Sequence, residues 1–432
     1  MHLTIERIDM KVESTEFSTE PVPDEHTVSW IRVAIIASMV AFSLPVFLAG
    51  VEIAISFSPL RTLEVFVVGT VILTVIGCIT AAIGANTRLS SYMLNRIAFG
   101  FHGAALVNTA FAISLLGWFG VNIDLFSGAV QRLTVDIYAV SVPAWPIEIF
   151  AGLIMTVTTV FGFRAINTLS AFLVPVLIAV TAQLIVGSLT DQSLTQIMRT
   201  SSANELSFGD GVSAVVGSAI VGAVILPDIT RFVRHWSGGI FVVLTSYLVI
   251  QFIVISAGGL SATALEDDDL LNIMLTLGIG WAAFAIVIFG SWVLNSLNLY
   301  STMLSVESTA PKLNNTSLII ILGSLGTLAA FMNILNDFLS FLFYLAVIFV
   351  PVSGIIIVDY LVLRRSAYHE DRLLLQQKTR PKAIAAWGLG ACVALMGSWS
   401  WISITNIAAL DAMIVAALAY YLLAFIGTTE TR

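Results

Sequence analysis

Ser43-Leu44-Pro45-Val46-Phe47-Leu48-Ala49-Gly50-Val51-Glu52 lies in the middle of the first long apolar run of the chain. Proline removes a backbone donor and crowds the preceding turn, so carbonyls are freed at membrane depth. Such a break is tolerated only where protein or a cavity meets the freed groups. Five apolar runs later, the segment from Gly211 to Asp228 is short and carries Gly217-Ser218, Gly222 and Pro227-Asp228. Interrupted spans at corresponding positions of two halves point to a solute site at the interface of internal repeats. The arrangement this suggests is two inverted five-helix repeats, spans one to five and six to ten, plus two extra helices. No residue-level repeat joins the halves, so the hydropathy and the breaks carry this reading. The alternative is that the glycines only allow helices to pack closely.

The rest of the chain fits that frame. Of its 432 residues 58% are apolar and 11% are Asp, Glu, Lys or Arg, against about 25% charged in soluble domains. An all-α integral membrane protein follows, because a barrel would show alternating segments of about ten residues. Runs near 33–57, 64–86, 104–128, 146–162, 166–187, 212–229, 239–260, 278–304, 317–335, 338–359, 384–402 and 406–427 make twelve transmembrane helices. Of the 19 basic residues only Arg61, Arg132 and Arg199 fall outside if the N-terminus is inside. The positive-inside rule therefore puts both termini in the cytoplasm, and the expected location is the cell's inner (plasma) membrane. The expected organisation is a flexible acidic tail over 1–31, repeats over 32–187 and 188–360, a basic loop over 361–383, and two helices over 384–432.

A net charge of −8 argues against a nucleic-acid partner. Cys78 and Cys392 lie in apolar runs and read as packing residues. No HExxH, GxSxG or Walker-A pattern occurs, so the reading is not an enzyme, with no cofactor or metal and no obligate protein partner. A solute would move down its own gradient or with a coupling ion. The acidic loop Glu266 to Asp269 is read as solvated, with cation binding the weaker alternative.

Polar residues at membrane depth mark pathways. Trp118 and Asn122 are four apart and share a helix face, as do Asn295 and Asn298 at a spacing of three. An indole beside a carboxamide suits stacking on a flat heterocycle and hydrogen bonding at its edge. Interface anchoring and helix–helix hydrogen bonds are the competing readings. Glu52 is either an interfacial residue or a carrier of a proton.

Seven stretches in order carry a resemblance: Arg96-Ile97-Ala98-Phe99-Gly100, Gly117-Trp118-Phe119-Gly120, Phe161-Gly162-Phe163, Val216-Gly217-Ser218, Pro227-Asp228-Ile229-Thr230-Arg231-Phe232, Trp292 to Tyr300, and Gly354 to Tyr360. The chain resembles the cytosine permease branch of the nucleobase–cation symporters. The resemblance implies a LeuT-like fold and import of cytosine or a related purine or pyrimidine by ion-coupled alternating access. The alternative is a same-fold transporter for hydroxymethylpyrimidine, allantoin, hydantoin or an amino acid, and a remoter one is a non-transporting membrane sensor or enzyme; the resemblance itself carries specific residue roles. It implies that Trp118 stacks on the ring and that Asn295, with Ser296 and Asn298, bonds its edge. It places Ser218, Ala219 and Phe47 at the substrate and Asn122 beside it. Ala219 stands where an aromatic residue is common, which leaves a roomier pocket. Gly50, Gly217 and Gly222 are expected to let backbone approach the solute. The coupling ion is H+ or Na+. Val293 and Leu294 occupy the positions of the usual sodium-binding hydroxyls, which turns attention to protons and to Glu52.

Overall fold

The computed structural model of the chain describes residues 20–161, 163–198, 206–307, 314–368, 378–399 and 401–426. Helices build it, and among the described residues the only β-bridge joins Val28 to Val233. The first span is two helices, α1 (Trp30–Ala41) and α2 (Leu44–Ser56), bent by 48°. Next come α3 (Pro59–Thr87), α4 (Ser91–Tyr138), α5 (Ala144–Val160) and α6 (Phe163–Asp191). The second half holds α7 (Phe208–Ile225), α8 (Trp236–Leu265), α9 (Gly280–Glu307), α10 (Asn315–Ala330) and α11 (Phe338–Val358). It ends in α12 (Pro381–Ser398) and α13 (Ala408–Phe425).

Each of the twelve expected segments is thus helical. By length and apolarity six described helices can cross a membrane, or seven with the bent pair. Rows of exposed apolar residues such as Ile113, Leu153 and Leu328 form the surface that lipid covers.

The breaks differ from expectation in place. The first span leaves the helix at Phe42, and Ser43 is extended (φ −75°, ψ 148°) before α2 begins. Pro45 then sits in the first turn of α2, where a missing N–H costs nothing. Gly50 is helical. The sixth span is not interrupted at Gly217-Ser218 or Gly222: α7 runs through all three, and the chain turns only at Leu226-Pro227. Close packing explains Gly217, because a Cβ there would stand 1.8 Å from the Leu342 carbonyl oxygen of α11. In α4 the break falls at Gly100 (φ 77°, ψ 174°), a left-handed conformation open to glycine.

Packing shows the repeat that the residues hide. α2 lies along α8, and α3 lies along α7. Exchanging the two five-span halves turns the first contact (spans one and seven) into the second (spans six and two). α4 against α9, spans three and eight, maps onto itself. α12 and α13 pack on each other and on α11, outside the repeats.

Of the expected flexible tail over 1–31, residues 1–19 lie outside the described residues, and from Glu20 the chain is docked. Val22 is buried, its N–H donates to the Arg88 carbonyl (3.2 Å), and the Val28 N–H donates to the Phe232 carbonyl (2.7 Å). Two apolar residues in a polar stretch supply the anchor. In the 361–383 loop, residues 369–377 lie outside the described residues. In the acidic loop Asp269 caps a short helix by accepting from the Leu271 N–H (2.9 Å) and pairs with Arg132 (2.9 Å).

Candidate functional site

The bend in the first span, the turn after α7 and the faces of α4, α8 and α9 enclose one cleft. It holds about 870 Å³ of space, open mouth included. Its walls include Val40, Ser43 and Pro45 at the bend, Leu115 and Trp118 of α4, and Ser218, Ala219 and Gly222 of α7. Tyr247 of α8 and Leu294, Leu297, Asn298 and Ser301 of α9 complete it. The lining also reaches Ile36 of α1 and Asp228 and Ile229 just beyond the end of α7. The bend is the reason for the site: a straight first span would fill this volume with side chains.

Trp118 is held edge-on by Phe341 (ring centroids 5.1 Å apart) and Phe338 (6.2 Å), both on α11. That packing fixes the indole as a rigid wall. Ser218 Oγ donates to the Val215 carbonyl (2.8 Å) and accepts from Gln251 Nε2 (3.4 Å). Asn298 Nδ2 donates to Asn295 Oδ1 (3.5 Å). Asp228 Oδ1 accepts from both the N–H and the Oγ–H of Ser91, each at 2.8 Å.

The expected site residues therefore divide. Trp118, Ser218, Ala219 and Asn298 line the cleft. Asn295 is fully buried behind the wall, where Nδ2 donates to the Phe119 carbonyl (2.8 Å) and to Met155 Sδ (3.2 Å). Asn122 is fully buried too; its Nδ2 donates to the Trp118 carbonyl (2.7 Å), and its Oδ1 has no partner. Ser296 turns its hydroxyl onto the Trp292 carbonyl (3.0 Å). Phe47 is buried against α8, where a Cβ on Gly258 would meet its carbonyl oxygen at 2.3 Å. Glu52 is half-buried near Asp268 and is not a cleft residue.

Two of the three glycines expected at the solute serve packing instead. A Cβ on Gly50 would stand 2.1 Å from the Ile255 carbonyl oxygen, and Gly217 meets Leu342. Only Gly222 lines the cleft. Val293 and Leu294 are buried apolar residues, the second on the cleft wall.

Tyr247 and Gln251 were not singled out in the sequence. Tyr247 lines the cleft and Gln251 donates to Ser218 behind it; both lie in the π-helical stretch Leu244–Gln251 of α8. Asp228 had been noted only as part of a break, and its bond to Ser91 spans 137 positions.

Comparison with known proteins agrees with this geometry. A family model for permeases for cytosine/purines, uracil, thiamine and allantoin matches residues 21–423. The cytosine permease of Escherichia coli (strain K12) is 27% identical over 358 residues, covering 82% of this chain and 81% of that one. The hydantoin permease of Microbacterium maritypicum is 24% identical over 399 residues, 85% of this chain and 78% of that one. Among solved structures, the inward-facing conformation of Mhp1 superposes with a TM-score of 0.80 at 19% identity, covering 94% of this chain and 93% of that one. Mhp1 in a closed conformation with bromovinylhydantoin bound gives 0.77 at 20% identity, covering 95% of each chain. With a match over nearly its whole length and a LeuT-type arrangement of helices around one cleft, the chain belongs to the family of permeases for cytosine/purines, uracil, thiamine and allantoin.

Proposed function

We propose that this permease imports a nucleobase, cytosine or a close purine or pyrimidine relative, across the inner membrane with both termini in the cytoplasm. The observation that carries the reading is the cleft wall. Trp118 offers a fixed aromatic face, and Ser218 and Asn298 offer donors and acceptors beside it. That combination suits a flat ring with a hydrogen-bonding edge. Asn122 Oδ1 and Gln251 Oε1 are buried acceptors with no partner. Neither lines the cleft, so both belong to the packing behind the wall rather than to the solute's edge. In this reading Asn295 and Ser296 position the wall, Asn295 by holding Asn298. Ala219, in place of a second aromatic face, widens the pocket.

Proton coupling is the reading that the residues favour over sodium at the usual position, since Val293 and Leu294 offer no oxygen to a hard cation. Two carboxylates are placed to carry the proton: Glu52 outside the cleft and Asp228 on its wall.

Uptake of labelled cytosine into proteoliposomes tests the function. Accumulation driven by a pH gradient, insensitive to sodium and competed by other bases, is the expected result. Transport that follows a sodium gradient refutes the reading of Val293 and Leu294. No movement of any base under either gradient refutes the substrate class. If Glu52→Gln abolishes pH-driven accumulation and Asp228→Asn does not, Glu52 is the carrier; the reverse assigns Asp228.

A further inference from the structure

A second cavity lies at the membrane face where the end of α11, the start of α12 and the end of α13 meet. It encloses about 1310 Å³, open mouth included, and is lined by Val362, Arg364, Arg380, Lys382, Tyr420 and Phe425 among others. Positive charge near this face is expected from topology alone. What topology does not require is that basic residues from two segments face one hollow.

The charges there are unequally spent. Asp359 takes Arg364 in a two-pronged contact, Nε at 2.8 Å and Nη2 at 2.5 Å. It also accepts from the hydroxyls of Tyr368 (2.6 Å) and Tyr420 (2.7 Å). That carboxylate is therefore saturated, and it cancels Arg364. Arg380 and Lys382 form no ion pair among the described residues. Arg380 Nε is buried without a hydrogen-bond partner. Its backbone is fixed, because its N–H donates to the Phe99 carbonyl (3.0 Å). Arg380 is thus held beside the cavity, and neither it nor Lys382 meets a carboxylate among the described residues; an anion in the cavity would balance the two charges.

The rim identifies the anion's carrier. Val362 is 61% exposed and Phe425 55%, both on the lipid-facing surface beside the basic floor. A free phosphate ion has no use for such a rim, whereas a phospholipid fits both parts. We propose that this cavity binds an anionic phospholipid, its phosphate at Arg380 and Lys382 and its acyl chains along Val362 and Phe425. The site is separate from the solute cleft and does not depend on which solute is carried.

The test uses the full-length protein in neutral detergent, titrated with short-chain phosphatidylglycerol, with phosphatidylcholine of the same chain length, or with inorganic phosphate, while thermal unfolding is followed. Phosphatidylglycerol raises Tm saturably, and the other two do not. Lys382→Gln, at an exposed position that folding does not need, weakens the apparent affinity about fivefold, and R380Q/K382Q about 25-fold. Arg61→Gln, which removes a cation paired with Glu64 near the start of α3, leaves it unchanged. An unaltered affinity in Lys382→Gln overturns the proposal even if the double variant does not fold. An equal response to phosphatidylcholine overturns it as well. A response to inorganic phosphate equal to that with phosphatidylglycerol makes this a free-anion site and removes the lipid.

Discussion

Trp118 and Asn122 are one turn apart on α4, and Asn298 and Asn295 nearly one turn apart on α9, yet each pair divides between two regions. Trp118 and Asn298 stand on the cleft wall. Asn122 and Asn295 are fully buried in the seam behind it, bonded to the backbone carbonyls of Trp118 and Phe119. The difference teaches that a shared helix face is not a shared environment. Where two helices pack as tightly as α4 and α9, one turn of the same stripe meets the cavity and the next meets the neighbouring helix.

Four substitutions break or sharpen this contrast. The largest effect belongs to Trp118→Ala, which removes the rigid wall. Saturable uptake falls about a hundredfold or more while the protein stays in the membrane; Trp118→Phe keeps part of the activity. Kinetics like those of the unaltered protein in Trp118→Ala would place the solute elsewhere. Asn295→Ala comes next, and its effect is on stability. It leaves the Phe119 carbonyl without its side-chain donor, and thermal or denaturant unfolding shows a loss of about 1–3 kcal/mol. A KM effect with unchanged stability would move Asn295 from the seam to the wall.

Asn298→Ala does the opposite. It raises KM about tenfold, the equivalent of one hydrogen bond to the solute, with little change in unfolding. Asn122→Ala is the smallest. Its carbonyl oxygen is already unpaired, so stability changes by less than about 1 kcal/mol, and KM rises less than in Asn298→Ala. A larger KM effect for Asn122 than for Asn298 would show that the two change places when solute binds.

The spans were legible because lipid imposes length and apolarity on every one of them, and the break in the first span does fall beside the cleft, at Ser43 and Pro45. Trp118 was legible as an aromatic residue at mid-span depth. The functional sense of glycine was not. Gly50 and Gly217 read like breaks in one dimension, but each meets a carbonyl of another helix, Ile255 and Leu342, more than 100 positions away. Phe47 failed for a related reason. The helix breaks at Phe42-Ser43, ahead of Pro45, and that register turns Phe47 into the core. Tyr247 and Gln251 sit in a mostly apolar span and find Gly222 and Ser218 only where α8 meets α7. Val22 and Val28 anchor a stretch whose acidic composition suggested freedom.

Equilibrium binding of labelled cytosine to the purified protein and to its Trp118→Ala and Asn295→Ala variants, each compared as folded protein, tests the central claim most directly. Saturable binding that is lost in Trp118→Ala and kept in the folded fraction of Asn295→Ala is the predicted result. Binding kept by Trp118→Ala and lost by folded Asn295→Ala would contradict the division into wall and seam.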